Sequence, residues 1–204
     1  MPAIMDTPAR RSGISREQIA DLPLRRYEGE VRLVETAADI ELAMADMTAE
    51  TVVGFDTETR PAFRRGEVYL PALVQAATAQ RVYLFQLRHT AVHDAVAQLL
   101  GSPRVVKAGV AVAHDLRTLK GVFPFEPRNV VDLGVLARRR GMEQTGLRNL
   151  AGLLLGYRIP KGAKTTNWAA HRLSDAQVAY AATDAWACRE LYLRFATLGL
   201  IEDV

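Results

Sequence analysis

The sequence of 204 residues contains one cysteine, no long apolar run and no internal repeat. The single Cys188 cannot form an internal disulfide and has no cysteine partner for a zinc site. No apolar run reaches the roughly 18 residues that a transmembrane helix needs, and the first residues lack the apolar centre of a signal peptide. These absences argue against a disulfide scaffold, a zinc module and a membrane protein, so we expect a location in the cytoplasm.

The overall composition is that of an ordinary globular protein. Hydrophobic residues make up 49% of the chain and charged residues 24%, which is enough apolar surface to bury a core. The net charge is only +3, but eight basic residues lie between positions 138 and 172 beside a single acid, Glu143. The basic residues are Arg138, Arg139, Arg140, Arg148, Arg158, Lys161, Lys164 and Arg172. Such a segment suits a polyanionic partner, because Lys and Arg contact phosphates, and it equally suits a solvated face of two helices.

An apolar stretch at residues 52–58 ends in two carboxylates, Asp56 and Glu58. Strand side chains alternate between faces, so these two point to the same face and Thr57 points to the other. Adjacent anions raise each other's pKa unless a cation joins them, and oxygen-rich clusters suit Mg²⁺ or Mn²⁺. A strand that simply ends in solvated acids is the alternative interpretation of this motif when it is taken alone.

The rest of the chain alternates between strand and helix signals. Period-2 patterns predict strands at residues 31–34, 72–76, 81–85 and 105–106, the middle two joined as a hairpin. Capping boxes at Ser15 and Ser174 predict one short helical turn before Pro23 and a long helix from Ser174 to about 197. Other capping residues and apolar periodicity predict helices after Thr36, at 90–100, at 112–119, after Asp132 as an N-cap and at 147–155. This mixture favours the α/β class, with a mixed sheet flanked by helices. We assign residues 1–28 to an N-terminal arm and residues 29–204 to one domain.

Two predicted helices carry acidic side chains at the margin of their apolar faces. Asp115 follows Val112 and precedes Leu116 in the first of them. In the last helix Tyr180 and Asp184 are four residues apart, so they lie on one face, and no Lys or Arg stands four residues from Asp184. A carboxylate at such a margin is either paired with another group or functional.

These motifs together resemble a known family. Phe55-Asp56-Thr57-Glu58, the helix that contains Asp115, and Tyr180 four residues before Asp184 resemble the three motifs of DEDDy-type 3'-5' exonucleases, such as ribonuclease D and the exonuclease domain of the Werner syndrome helicase. The resemblance covers about residues 30–200. The sister group has histidine five residues before the final aspartate, where this chain has Ala179, so the tyrosine branch fits better.

The resemblance implies a fold, a cofactor and a set of roles. The fold would be ribonuclease-H-like, with a mixed sheet that carries helices on both faces. Asp56, Glu58, Asp115 and Asp184 would hold two divalent metal ions, Mg²⁺ or Mn²⁺, and Tyr180 would orient the attacking water. We expect no counterpart of the C-terminal helical domain that often follows in ribonuclease D, because the sequence ends soon after the last predicted helix.

The function implied is a metal-dependent 3'-5' exonuclease that removes nucleoside 5'-monophosphates from nucleic acid with a free 3' end. Six residues are predicted to contact the nucleic acid: Thr57, Arg138, Arg139, Arg140, Lys161 and Lys164. Two other hypotheses are a noncatalytic nucleic-acid-binding module of the same fold and a phosphohydrolase of free nucleotides. The presence of all four acids argues against a noncatalytic module. A phosphohydrolase of free nucleotides would turn over mononucleotides at a rate that does not depend on polymer length.

Overall fold

The computed structural model describes residues 12–64, 66–162 and 166–201, so the predicted contact residue Lys164 lies outside the described residues. Its strands are β1 Glu30–Leu33, β2 Val52–Thr59, β3 Pro71–Ala77, β4 Arg81–Gln86, β5 Val106–Gly109 and β6 Val130–Asp132. Its helices are α1 Arg16–Asp21, α2 Ala37–Ala49, α3 His93–Gly101, α4 Val112–Leu119, α5 Leu133–Arg139, α6 Leu147–Leu150, followed by a π-helical turn at Ala151–Leu155, and α7 Asp175–Thr197. In these described ranges, no helix is both long enough and apolar enough to cross a membrane.

The six strands form one mixed sheet in the order β1-β4-β3-β2-β5-β6. Strand β3 runs antiparallel to both of its neighbours, β2 and β4, and the turn between β3 and β4 is the predicted hairpin. Strands β2, β5 and β6 are parallel to one another, as are β1 and β4. The predicted mixed sheet is confirmed.

Helices cover both faces of the sheet because the central strand β2 is apolar on both sides. Val53 and Phe55 pack on one side with residues of α2, α3 and α4. Val52 packs on the other side with Cys188 and other residues of α5 and α7. The period of two along β2 therefore divides the core into two layers, and the predicted placement of helices on both faces is confirmed.

The carboxyl ends of the parallel strands β2, β5 and β6 meet at one edge of the sheet, which we call the carboxyl edge. After β5 the chain turns through Ala111, whose φ of 62° is left-handed, and enters α4. Asp132 at the end of β6 accepts hydrogen bonds from the amides of Gly134 and Val135, as the predicted N-cap of α5, and also from the amide of Ala111 at 3.2 Å. One carboxylate thus fixes the starts of α4 and α5 side by side.

Residues 12–28, which the sequence predicted to belong to an N-terminal arm, contact the rest of the chain at several points. Ser15 caps α1 in the predicted capping box. The carbonyl of Ser12 accepts a hydrogen bond of 2.7 Å from the amide of Glu143, and the amide of Tyr27 donates one of 3.1 Å to the hydroxyl of Thr183 on α7. The arm therefore contacts α7 on a residue that directly precedes Asp184.

Candidate active site

Three carboxylates meet at the carboxyl edge where α7 crosses β2. Asp56 and Glu58 come from β2 and Asp184 from α7, and each offers one oxygen such that the three oxygens lie within 4.8 Å of one another. Glu58 and Asp184 are buried, with 8% and 7% of their surfaces exposed. The structure therefore brings together three of the four acids that the sequence predicted as metal ligands.

The close approach of α7 to β2 depends on Gly54. A methyl group at this position would lie 2.7 Å from the amide nitrogen of Arg189 and still closer to the carbonyl oxygen of Ala185, both in α7. Real Cβ atoms do not approach a backbone this closely, so the contact requires glycine. Because Ala185 follows Asp184, the same contact sets the distance between Asp184 and the carboxylates of β2.

Asp115 lies beside this group without belonging to it. It is located in the first turn of α4, and its charge contributes to the raised pKa of Asp56. Burial raises the pKa of Asp115, and a hydrogen bond with the Thr57 side chain acts in the opposite direction. Thr57, which the sequence predicted as a nucleic-acid contact, therefore hydrogen-bonds to Asp115, a predicted metal ligand.

The electrostatics of the group are unfavourable in the absence of a cation. Burial raises the pKa of Asp56 well above its usual range, and the charges of Asp184, Glu58 and Asp115 raise it further. One oxygen of Asp56 accepts a hydrogen bond of 2.9 Å from the amide of Thr57. Buried carboxylates that repel one another form an all-oxygen donor set, and such a set fits a hard divalent cation such as Mg²⁺ or Mn²⁺.

Tyr180 lies one turn before Asp184 on α7, as predicted, and hydrogen-bonds to it. Burial raises the pKa of the Tyr180 hydroxyl, and the charges of Asp184 and Glu58 raise it further, so the hydroxyl remains protonated. The ring packs against Gly162, where a methyl group would overlap it, and against the indole of Trp168, with ring centroids 6.0 Å apart. These contacts fix the direction of the hydroxyl toward the carboxylates.

A cleft of about 440 Å³ opens beside Tyr180 and Asp184. Its other lining residues are Gly146, Leu147, Arg148, Asn149, Pro160, Lys161 and Gly162. Lys161 is exposed, and Arg148 is half-buried with no hydrogen-bond partner for its Nε among the described residues. Arg148 belongs to the basic segment of the sequence, but nothing local distinguishes it there, and the fold places it beside Asp184.

The structure places Arg138, Arg139 and Arg140 far from this cleft. They are exposed at the carboxyl end of α5, and Arg140 donates a hydrogen bond of 3.1 Å to the carbonyl of Leu200, beyond the end of α7. Asp184 lies thirteen residues, or about 20 Å of helix, before the last residue of α7. The basic residues that the structure describes in this segment therefore do not form one continuous surface. Arg148 and Lys161 line the cleft beside Asp184, whereas Arg138, Arg139 and Arg140 lie at the carboxyl end of α5.

Comparison with known proteins places the chain among nucleases. A family model described as 3'-5' exonuclease matches residues 31–198. The curated ribonuclease D of Haemophilus influenzae is 34% identical over 146 residues, which are 70% of this chain and 36% of that protein. This chain spans between 36% and 41% of the length of two ribonuclease D relatives.

Solved structures resemble this chain in fold. The EXO domain of Nibbler from Aedes aegypti superimposes with a TM-score of 0.73 at 22% identity, over 85% of this chain and 94% of that chain. RNase D of Escherichia coli superimposes with a TM-score of 0.69 at 21% identity, over 84% of this chain and 47% of that chain. The ribonuclease-H-like fold predicted from the sequence is confirmed.

Proposed function

This chain belongs to the 3'-5' exonuclease family, and on that premise we propose that it hydrolyses phosphodiester bonds at the free 3' end of DNA or RNA and releases nucleoside 5'-monophosphates. The observation that supports this proposal most is the group of three carboxylate oxygens within 4.8 Å of one another. The adjoining cleft carries basic side chains, which suit the phosphates of a nucleic acid.

The proposed cofactors are two divalent metal ions, Mg²⁺ or Mn²⁺. Asp56, Glu58 and Asp184 would hold one ion, and Asp115 would hold the other together with Asp56. Such ions, when bound, lower the pKa of water and neutralise charge on the attacking and leaving oxygens of a phosphodiester. The chain's own contribution is to keep the carboxylates buried and close together, which α7 achieves by its contact with Gly54.

Tyr180 is proposed to orient the attacking water by a hydrogen bond. Its pKa is raised by burial and by the neighbouring carboxylates, so it serves as a protonated, directional group and not as a general base. The contacts of its ring with Gly162 and Trp168 supply the rigidity that such orientation requires.

The 3' end of the substrate is proposed to lie in the cleft beside Asp184. Arg148 and Lys161 would contact its phosphates, and Asn149 lines the same cleft. Arg138, Arg139 and Arg140 would reach only nucleotides well away from the scissile bond, because they lie at the other end of α7.

The activity is tested with purified protein on 5'-labelled single-stranded DNA and RNA, with a free or a blocked 3' end, with and without Mn²⁺. We expect single-nucleotide shortening that requires both Mn²⁺ and a free 3' end and that Asp56→Asn abolishes. Asp94→Asn, which changes an exposed acid in the first turn of α3, is the matched control and should degrade substrate normally. Equal degradation by wild type and Asp56→Asn would refute the mechanism.

The cleft is tested by steady-state kinetics and by the salt dependence of substrate binding. Lys161→Ala and Arg148→Ala should each raise KM more than they lower kcat, and each should reduce the slope of log binding constant against log salt by about 1. Arg138→Ala removes the same charge at the far surface. If it reduced the binding of a short strand as much as Lys161→Ala does, the proposed position of the 3' end would be wrong.

A further inference from the structure

Gln75 in β3 has a buried side-chain amide that finds no hydrogen-bond partner among the described residues. Its side chain is fully buried, and neither its Oε1 nor its Nε2 bonds to any group in the described part of the chain. Buried polar groups are almost always hydrogen-bonded in native proteins, because leaving them unpaired costs stability. An amide that costs stability in the core calls for an explanation outside the stability of the fold.

The register of the sheet places Gln75 directly beside the carboxylate group. It is the cross-strand partner of Asp56, and Leu73 two residues before it is the partner of Glu58. Directly opposed residues of antiparallel strands point to the same face, with their Cβ atoms about 4.5–5.5 Å apart. Gln75 therefore shares with Asp56 the face that α7 covers.

A second unpaired group lies in the same layer of the core. The indole nitrogen of Trp168 is buried without a partner among the described residues, and Trp168 belongs to the same buried cluster as Leu73 and Ala181. The same ring contacts the ring of Tyr180. Unpaired polar atoms thus occur both beside Asp56 and beside the residue that bonds to Asp184.

We propose that Gln75 is a positioning residue for the metal-binding carboxylates, and that its amide hydrogen-bonds to the carboxylate of Asp56 when the site holds its cation. Carboxylates that ligate metals are commonly held by hydrogen bonds from an outer layer of residues, which orient them and tune affinity. This inference rests on the proposed function, because it requires the acidic group to bind a divalent ion. It assigns Gln75 a role that no exposed or sequence-local feature indicates.

Gln86 provides a contrast within the same sheet. It is buried on β4, but its Nε2 donates a hydrogen bond of 3.1 Å to the carbonyl of Ala170. Its amide therefore ties β4 to the segment that precedes α7 and has a role in the fold. Replacing Gln86 by Met should lower thermal stability and leave cation binding unchanged. Replacing Gln75 by Met should weaken cation binding without lowering thermal stability.

The test measures Mn²⁺ binding by calorimetry, thermal unfolding in EDTA, and exonuclease kinetics for wild type, Gln75→Met, Gln75→Leu and Gln86→Met. For both Gln75 variants we expect an unchanged or higher Tm in EDTA, and Mn²⁺ binding weakened by about 10- to 100-fold. Because a pure packing role would alter only the Tm, the binding constant separates positioning from packing. Two apolar replacements of different shape keep the test valid if one of them folds poorly.

Wild-type affinity for Mn²⁺ in both Gln75 variants, with unchanged kcat, would overturn the proposal while leaving the proposed function intact. Failure of the wild-type protein itself to bind Mn²⁺ would overturn the proposed function and this inference together. The two failures are therefore distinguishable in one set of titrations.

Discussion

Replacing Gly54 by alanine should inactivate the protein by moving α7 away from β2. The added methyl group would lie 2.7 Å from the amide nitrogen of Arg189 and closer still to the carbonyl of Ala185. Carbon contacts are favourable only beyond about 3.5 Å, so the two backbones must separate by at least about 1 Å. Neither opposing atom belongs to a flexible side chain, so the separation cannot be absorbed by a rotamer change.

A displacement of this size has a modest effect on the stability of the fold but a large effect on the geometry of the metal-binding carboxylates. Overpacking of this kind costs about 1–3 kcal/mol of unfolding free energy, which a domain of this size tolerates in part. Metal sites require their ligands to lie within about 0.2 Å of ideal distances, so a shift of Asp184 by about 1 Å exceeds that tolerance several-fold. Misplacement by about 1 Å can lower a catalytic rate by about 100-fold.

The assay compares thermal unfolding with the Mn²⁺-dependent exonuclease rate, measured well below the Tm of each variant. Gly54→Ala should lose about 100-fold in rate while remaining folded. Gly101→Ala is the matched control, because a methyl group there meets only the carbonyl of Glu126 at an ordinary 3.5 Å. A folded Gly54→Ala variant with wild-type activity would refute the argument that this glycine sets the position of Asp184.

Three further predictions concern charge and hydrogen bonding. Asp56→Asn should raise the Tm in EDTA, because it removes a buried charge that repels its neighbours, and should reduce the gain in Tm that Mn²⁺ gives the wild type. Tyr180→Phe should lower kcat by about 100-fold when it is measured at saturating Mn²⁺, and an unchanged kcat would exclude the hydroxyl from the reaction. Burial lowers the pKa of Lys107 to about 8 from its ordinary value of 10.5, so between these two values the Lys107 side chain binds more protons in the unfolded chain than in the native one. Denaturant titrations between about pH 8 and pH 10 should therefore show the wild type gaining stability relative to Lys107→Met, and parallel curves would contradict this pKa.

Much of the fold could be predicted from the sequence because its signals are local. The capping boxes at Ser15 and Ser174 and the N-cap at Asp132 each predicted the start of a helix, and the structure has these caps. The hairpin of β3 and β4 followed from two apolar runs, at residues 72–76 and 81–85, that are joined by a short turn. Each of these features depends on side-chain to backbone bonds, or on a turn, within a few residues.

The arrangement of the site could be predicted only in part, because it depends on contacts between distant segments. The motifs gave the acids and Tyr180, but nothing local indicates that Gln75 is the cross-strand partner of Asp56. The basic segment is continuous along the sequence, but in the structure Arg140 contacts Leu200 beyond the end of α7, whereas Lys161 lines the cleft beside Asp184. Basic residues that are close in sequence form one surface only if the fold brings them to the same side of the molecule. The arginines at the end of α5 lie away from the cleft beside Asp184.

The acidic group links folding to cation binding, because its carboxylates come from segments that are distant in sequence. Asp56 and Asp184 are 128 residues apart in sequence, and only the packing of α7 on β2 brings them together. The repulsion between these two carboxylates opposes the packing of α7 on β2. The close contact at Gly54 and the burial of Ala181, Ala182 and Ala185 of α7 against the sheet favour it. A divalent ion would reverse the sign of the electrostatic contribution, because it binds the native arrangement and no counterpart exists in the unfolded chain. Cation binding should therefore stabilise the junction of α7 and β2 more than any other part of the described fold, and hydrogen exchange of the amides around Asp184 should slow most when Mn²⁺ is added.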